Sequence, residues 1–123
     1  NIDKGVFFST GNATQNLSNR NSNDNQGNNP SGNYSDADLT AISANARFNP
    51  AVYRFTVTLG LTTTAIRLSY QFASEEYPDY VGSAFNDAFG FFVTGPGITG
   101  TANMARLPSN NKVTTINNIN AGV

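Results

Sequence analysis

Six of the eight carboxylates in this 123-residue chain fall into two compact groups: Asp36 with Asp38, then Glu75, Glu76 and Asp79 with Asp87, the last beside Asn86. Hard oxygen donors crowded into short stretches, with few cations near them in sequence, are the ligands that Ca²⁺ takes. Glu75, Glu76, Asp79, Asn86 and Asp87 are the first candidate set, because adjacent Glu75 and Glu76 would otherwise repel each other. Asp36 and Asp38 form a second candidate set, against the plainer reading that they cap a helix. The other chemistry open to paired carboxyl groups is glycoside hydrolysis, which needs them roughly 5 to 9 Å apart across a sugar. Glu75 and Glu76 would face opposite sides of a strand, which leaves Glu75 with Asp87, and there is no Trp to serve as a sugar platform. The chain is therefore expected not to be an enzyme.

Composition narrows the chemistry further. With no His and no Cys, thiol nucleophiles, Ser-His-Asp triads and Cys/His zinc sites are all excluded. Seven basic against eight acidic residues leave a net charge of −1, which does not suit a protein that must neutralise nucleic-acid phosphates. Polar surface comes instead from 19 Asn, 13 Thr and 10 Ser, a pattern of many secreted β-rich proteins. No apolar run approaches the ~20 residues of a membrane span. The length suits one domain, residues 1–123, built on one core.

The elements that must position these groups read as strands. Residues 6–10 (VFFST) form a short strand closed by Gly11. Between residues 12 and 33, nine of 22 residues are Asn and only Leu17 is a large aliphatic, so this is a surface loop, dispensable for folding. It carries three glycosylation sequons, at Asn12, Asn16 and Asn33. SDADLT over residues 35–40 reads as a capping box, with Ser35 as N-cap and Asp38 reaching back to its amide. Tyr53, Phe55, Val57 and Leu59 then alternate with Arg54, Thr56 and Thr58, and Ile66, Leu68, Tyr70 and Phe72 alternate with Arg67, Ser69 and Gln71. Two such runs across a short turn predict an antiparallel hairpin with one buried face.

Residues 75–82 read as a loop around Pro78, followed by a strand at 89–94 (FGFFVT) and weaker strands near 103–107 and 113–116. Tyr70, Phe72, Phe85, Phe89, Phe91 and Phe92 are assigned to the core rather than to a ligand platform. GPGITG over residues 95–100 matches G-x-G-x-x-G to the letter but lacks a following helix pattern and a later acidic residue, so it reads as a turn between strands. Five or six strands with turns between them predict an all-β antiparallel sandwich, jelly-roll-like.

The string FASEEYPDYVGSAFNDAFGFFVTGPG over residues 72–97 closely resembles the signature of the choice-of-anchor L domain, a family of bacterial surface and secreted proteins. VFFSTGN near the start, SDADLT at 35–40 and INNIN at 116–120 resemble that family's pattern in the same order, so the likeness spans nearly the whole chain. The resemblance implies an extracellular, non-enzymatic β-sandwich module of a bacterial cell surface or matrix, with other matrix subunits, including copies of itself, as partners. A Ca²⁺-dependent carbohydrate-binding module, with glycans as partners, is the alternative. Family domains continue past INNIN through further strands, so either this chain is a piece or its missing strands come from elsewhere. In the second case a neighbour's residues 6–10 would fill the open edge and build a head-to-tail fibre. A crosslink from Lys4 or Lys112 to an Asn is a minor further expectation.

Overall fold

The structure, a computed structural model, describes residues 2–14 and 34–119. The elements in chain order are helix α1 (Ala37–Ile42), strands β1 (Ala88–Phe89), β2 (Phe92–Val93), β3 (Ala102–Asn103) and β4 (Thr114–Thr115), and helix α2 (Ile116–Ile119). The fold is β-rich, with two small antiparallel sheets. β1 pairs with β4 in the register Ala88 to Thr115 and Phe89 to Thr114, and β2 pairs with β3 in the register Phe92 to Asn103 and Val93 to Ala102. An antiparallel bridge between Arg106 and Val113 joins the two returning segments.

Gly90 divides β1 from β2. A Cβ at this position would run into the Phe92 ring, which folds over the glycine, and the ladder changes partner there. The Asn103 carboxamide fills the break, since its Oδ1 accepts from the amides of Phe91 (3.1 Å) and Ala105 (3.0 Å). Residues 95–100, the literal G-x-G-x-x-G, turn the chain between β2 and β3 through an Ile98 N–H to Gly95 carbonyl bond of 3.0 Å. Gly97 and Gly100 there hold φ values of +83° and +68°, which suit glycine and explain the motif without a phosphate.

The core gathers around these sheets. Ile116 and Ala105 are buried, together with Ser43, Thr114 and Thr115. The buried Thr114 hydroxyl donates to the Ala105 carbonyl (3.2 Å) and so accepts from the Tyr70 hydroxyl (3.1 Å). The Tyr70 ring also lies 4.5 Å from that of Phe89. Here the second alternating run reaches the sheets with both a ring and a polar contact.

The sandwich predicted from the sequence does not close among the described residues. Residues 52–59 and 64–72 flank a turn in which the Thr63 N–H donates to the Gly60 carbonyl (2.9 Å), yet no ladder joins the two arms. Their apolar row of Tyr53, Phe55, Val57, Leu59, Ile66 and Leu68 is exposed. The alternation that the hairpin needs is present; among the described residues, a second layer against which to bury it is not. Of the aromatic residues assigned to the core, Phe72, Phe89, Phe91 and Phe92 are half-buried, whereas Tyr70 and Phe85 are exposed. Helix α1 also starts one residue later than the capping box predicts. Asp36, not Ser35, is the N-cap, because its charged Oδ1 reaches the amides of both Asp38 (3.0 Å) and Leu39 (3.2 Å). No helix among the described residues is long and apolar enough to cross a membrane.

Candidate functional site

The acidic loop before β1 is built on turns rather than on a strand end. The Tyr80 N–H donates to the Glu76 carbonyl (2.9 Å), that of Val81 to Pro78 (3.2 Å) and that of Ser83 to Tyr80 (3.0 Å), which winds residues 76–83 into a compact coil. The Tyr77–Pro78 peptide is cis. The coil returns to the sheet at Asp87, whose carbonyl accepts from the Ile116 amide (3.1 Å).

Inside this coil, Ser74 links two of the candidate carboxylates. Its hydroxyl donates to Asp87 Oδ2 (2.7 Å) and accepts from the Glu76 amide (3.2 Å). Glu76 Oε2 is buried and has no hydrogen-bond partner. Its carboxyl is pushed up to about 7, first by burial and then by the negative charges of Asp87 and Glu75. An orphaned, partly desolvated carboxylate beside two others is an arrangement that a proton or a cation relieves.

The remaining candidates are placed differently. Asn86 is used structurally: its Nδ2 donates to the Ser43 hydroxyl (3.3 Å) and its Oδ1 accepts from the Asn117 amide (3.0 Å). Asp79 is exposed on the same coil. Asp36 is committed to its helix cap and to Arg54, whose Nη2 lies 2.9 Å from Oδ2, while Asp38 stands 4.0 Å from Arg54 Nη1. The first acidic group is thus compensated by the Arg54 guanidinium, whereas in the second Glu76 keeps a buried oxygen without a hydrogen bond. Among the described residues, no group of three or more Asp, Glu, His or Cys side chains is arranged to hold a metal ion. A cation at Glu76 would need donors from backbone or water as well. Of the sequons, Asn12 turns back on its own backbone through Oδ1 to the Thr14 amide (3.1 Å). Asn16 and Asn33, with most of the Asn-rich stretch, lie outside the described residues.

Asn117 is the residue that the sequence reading missed. From α2 its Oδ1 accepts from the Gly82 amide (2.6 Å) and its Nδ2 donates to the Ser83 carbonyl (3.2 Å), so one side chain ties the C-terminal element to the acidic coil. Asn118 braces the same element from behind, with Nδ2 donating to the Val113 carbonyl (3.0 Å). The signal lay in an amide, able to donate and accept at once, set directly after a buried Ile.

The family model of the choice-of-anchor L domain matches residues 1–123, and the chain belongs to that family. No curated protein and no solved structure matches.

Proposed function

We propose that this choice-of-anchor L domain is a structural or adhesive, non-enzymatic module that assembles with copies of itself by strand exchange. Membership of the family places the chain among bacterial cell-surface or extracellular proteins. The observation that carries the assembly reading is the pair of arms at residues 52–59 and 64–72. Each presents an apolar row to solvent, and among the described residues no backbone hydrogen bond beyond the Gly60 turn is made along them. Strand edges of this kind template pairing with another chain. Static light scattering from micromolar to millimolar concentration tests the reading: mass that grows with concentration is expected, and a constant monomer mass overturns it.

Ca²⁺ stabilisation through the acidic coil is a second reading, favoured by the buried and unpartnered Glu76 Oε2 beside Asp87. Such an ion would take Glu76 and Asp87 as its carboxylate donors, with Glu75 adjoining. Binding to the folded state alone, at ~100 times the dissociation constant, adds about 2.7 kcal/mol, which a thermal melt resolves. A melt with and without EDTA is expected to shift in the parent chain and not in Asp87→Ala. Equal melts in the parent chain would remove Ca²⁺ from the account. The carbohydrate-binding alternative would draw on Tyr77 and Phe85, both exposed beside this coil. Glycan-array binding that depends on added Ca²⁺ would favour it over a purely structural ion.

A further inference from the structure

We infer that residues 6–8 are the donor in this assembly and that the Tyr53 end of the first arm is the acceptor, with Phe8 of one copy seated on Tyr53 and Phe55 of the next. The inference rests on the strand-exchange reading and gives it residues. Within one chain the Phe8 ring already lies 5.9 Å from that of Tyr53, which in turn lies 5.4 Å from Phe55, so three tilted rings form a short aromatic ladder. Offset and tilted rings at these separations attract beyond the area that they bury.

The intramolecular docking leaves most of the donor unused. Val6, Phe7 and Phe8 remain exposed, Val6 at 80%, and no backbone hydrogen bond joins residues 2–8 to the arm among the described residues. A strand that touches its acceptor through one ring, while its amides and carbonyls stay free, gains ladder bonds by pairing fully. Alternation then fixes which side chains matter: Val6 and Phe8 share one face, as do Tyr53, Phe55 and Val57, while Phe7 points to the other. Two turns follow the donor, closed by the Gly11 amide on Ser9 Oγ (3.1 Å) and the Thr14 amide on Asn12 Oδ1 (3.1 Å), and mark where residues 6–8 end as an extended segment.

Exposure supports a second copy as the occupant. Tyr53 is 67% exposed, Phe55 and Ile66 are each 59%, and Val57, Leu59, Leu68 and Tyr70 lie lower. Tyr53, Phe55 and Val57 on the first arm are the part of this row that a neighbour's residues 6–8 would cover, and each is more than half exposed. A net charge of −1 sets almost no repulsion between copies.

The absence of cysteine makes the test clean. Chains carrying Phe8→Cys alone and Tyr53→Cys alone are mixed in equal amounts in a glutathione redox buffer, and Phe7→Cys with Tyr53→Cys serves as the control. The Phe8 mixture is expected to give at least about tenfold more mixed disulfide dimer than the control, following the tenfold that each ~1.4 kcal/mol confers. Equal yields, or a Phe8→Cys, Tyr53→Cys double variant that closes only within single chains, overturn the inference. Light scattering separates this failure from that of the parent reading. If the unmodified chain associates and Phe8→Ser associates equally well, the donor assignment falls and self-assembly stands. If the unmodified chain stays monomeric, strand exchange itself falls. Phe7→Ser retaining association where Phe8→Ser loses it supports the assignment.

Discussion

The C-terminal third and the two arms spend their polar and apolar residues in opposite ways. From residue 86 onward, short strands of two residues each are held because side-chain amides complete what the backbone leaves open: Asn103 bridges the break at Gly90, Asn117 clasps the acidic coil and Asn118 holds the turn before it. Along residues 52–72 the apolar alternation is far more regular, yet the row is exposed and, among the described residues, the backbone bonds only at the Gly60 turn. Periodicity records which face of a strand wants burial, not whether a partner is at hand. A modest core braced by the Asn103, Asn117 and Asn118 carboxamides is more fixed than a longer apolar row left largely exposed.

Truncating one isoleucine in each region gives the largest contrast. Ile116 is fully buried, so Ile116→Ala is expected to cost about 2 to 5 kcal/mol in urea unfolding, the range for removing a packed aliphatic side chain. Ile66 is exposed, and Ile66→Ala in dilute solution is expected to stay within about 0.5 kcal/mol of the parent. At concentrations where copies associate, the same Ile66 change should weaken association, because the row is then covered. Equal costs for the two substitutions in dilute solution would break the comparison, since they would mean that the arm is packed within the single chain.

A smaller effect probes the clasp. Asn117→Ala removes two hydrogen bonds to the acidic coil and leaves the Gly82 amide and Ser83 carbonyl to find water, at an expected cost of about 1 to 3 kcal/mol. Amide hydrogen exchange should show residues 82–86 losing protection first. Unchanged protection there would mean that the coil holds itself through its own turns and that Asn117 merely rests on it.

Local chemistry was legible from the residues alone where a single position dictates geometry. Gly97 and Gly100 marked a turn, Pro78 a loop, and the FGFFVT run a single strand, which the structure divides at Gly90 into β1 and β2; the family string at 72–97 was specific enough to name the family. Illegible were the contacts that join distant segments. Nothing in the spacing of Ser43, Asn86 and Asn117 indicates that they meet, because hydrogen bonds across 31 to 43 residues leave no period in the sequence. The helix start was misread for a subtler reason. Ser35 and Asp36 are both good caps, and the choice falls to Asp36 because its second oxygen also meets Arg54, on an arm that the local sequence does not include. The closed sandwich was over-read from alternation, which counts strands without counting layers.

Glu76 gives the smallest expected effect, and it tests the seam where the two regions meet. Its carboxyl ordinarily titrates near 4.5 and is raised to about 7 in the folded chain, by burial and by Asp87 and Glu75. The folded state therefore holds this proton more tightly than the unfolded state does, and between about pH 4.5 and 7 folding is favoured by the proton that Glu76 keeps. As pH rises through that window the proton is lost, the charged carboxylate is left in its partly buried place, and stability falls. Glu76→Gln keeps the shape without the charge, so its melting temperature should lose this component of the pH slope and exceed that of the parent above pH 7 by a few degrees. Added Ca²⁺ sharpens the reading, because a cation stabilises the ionised carboxylate that the proton otherwise neutralises. The parent chain in Ca²⁺ is then expected to lose its decline toward pH 7, while the Gln variant responds little. Parallel pH profiles for the two chains would show that Glu76 reaches water freely, and that the coil closed by Asn117 does not desolvate the acid beneath it.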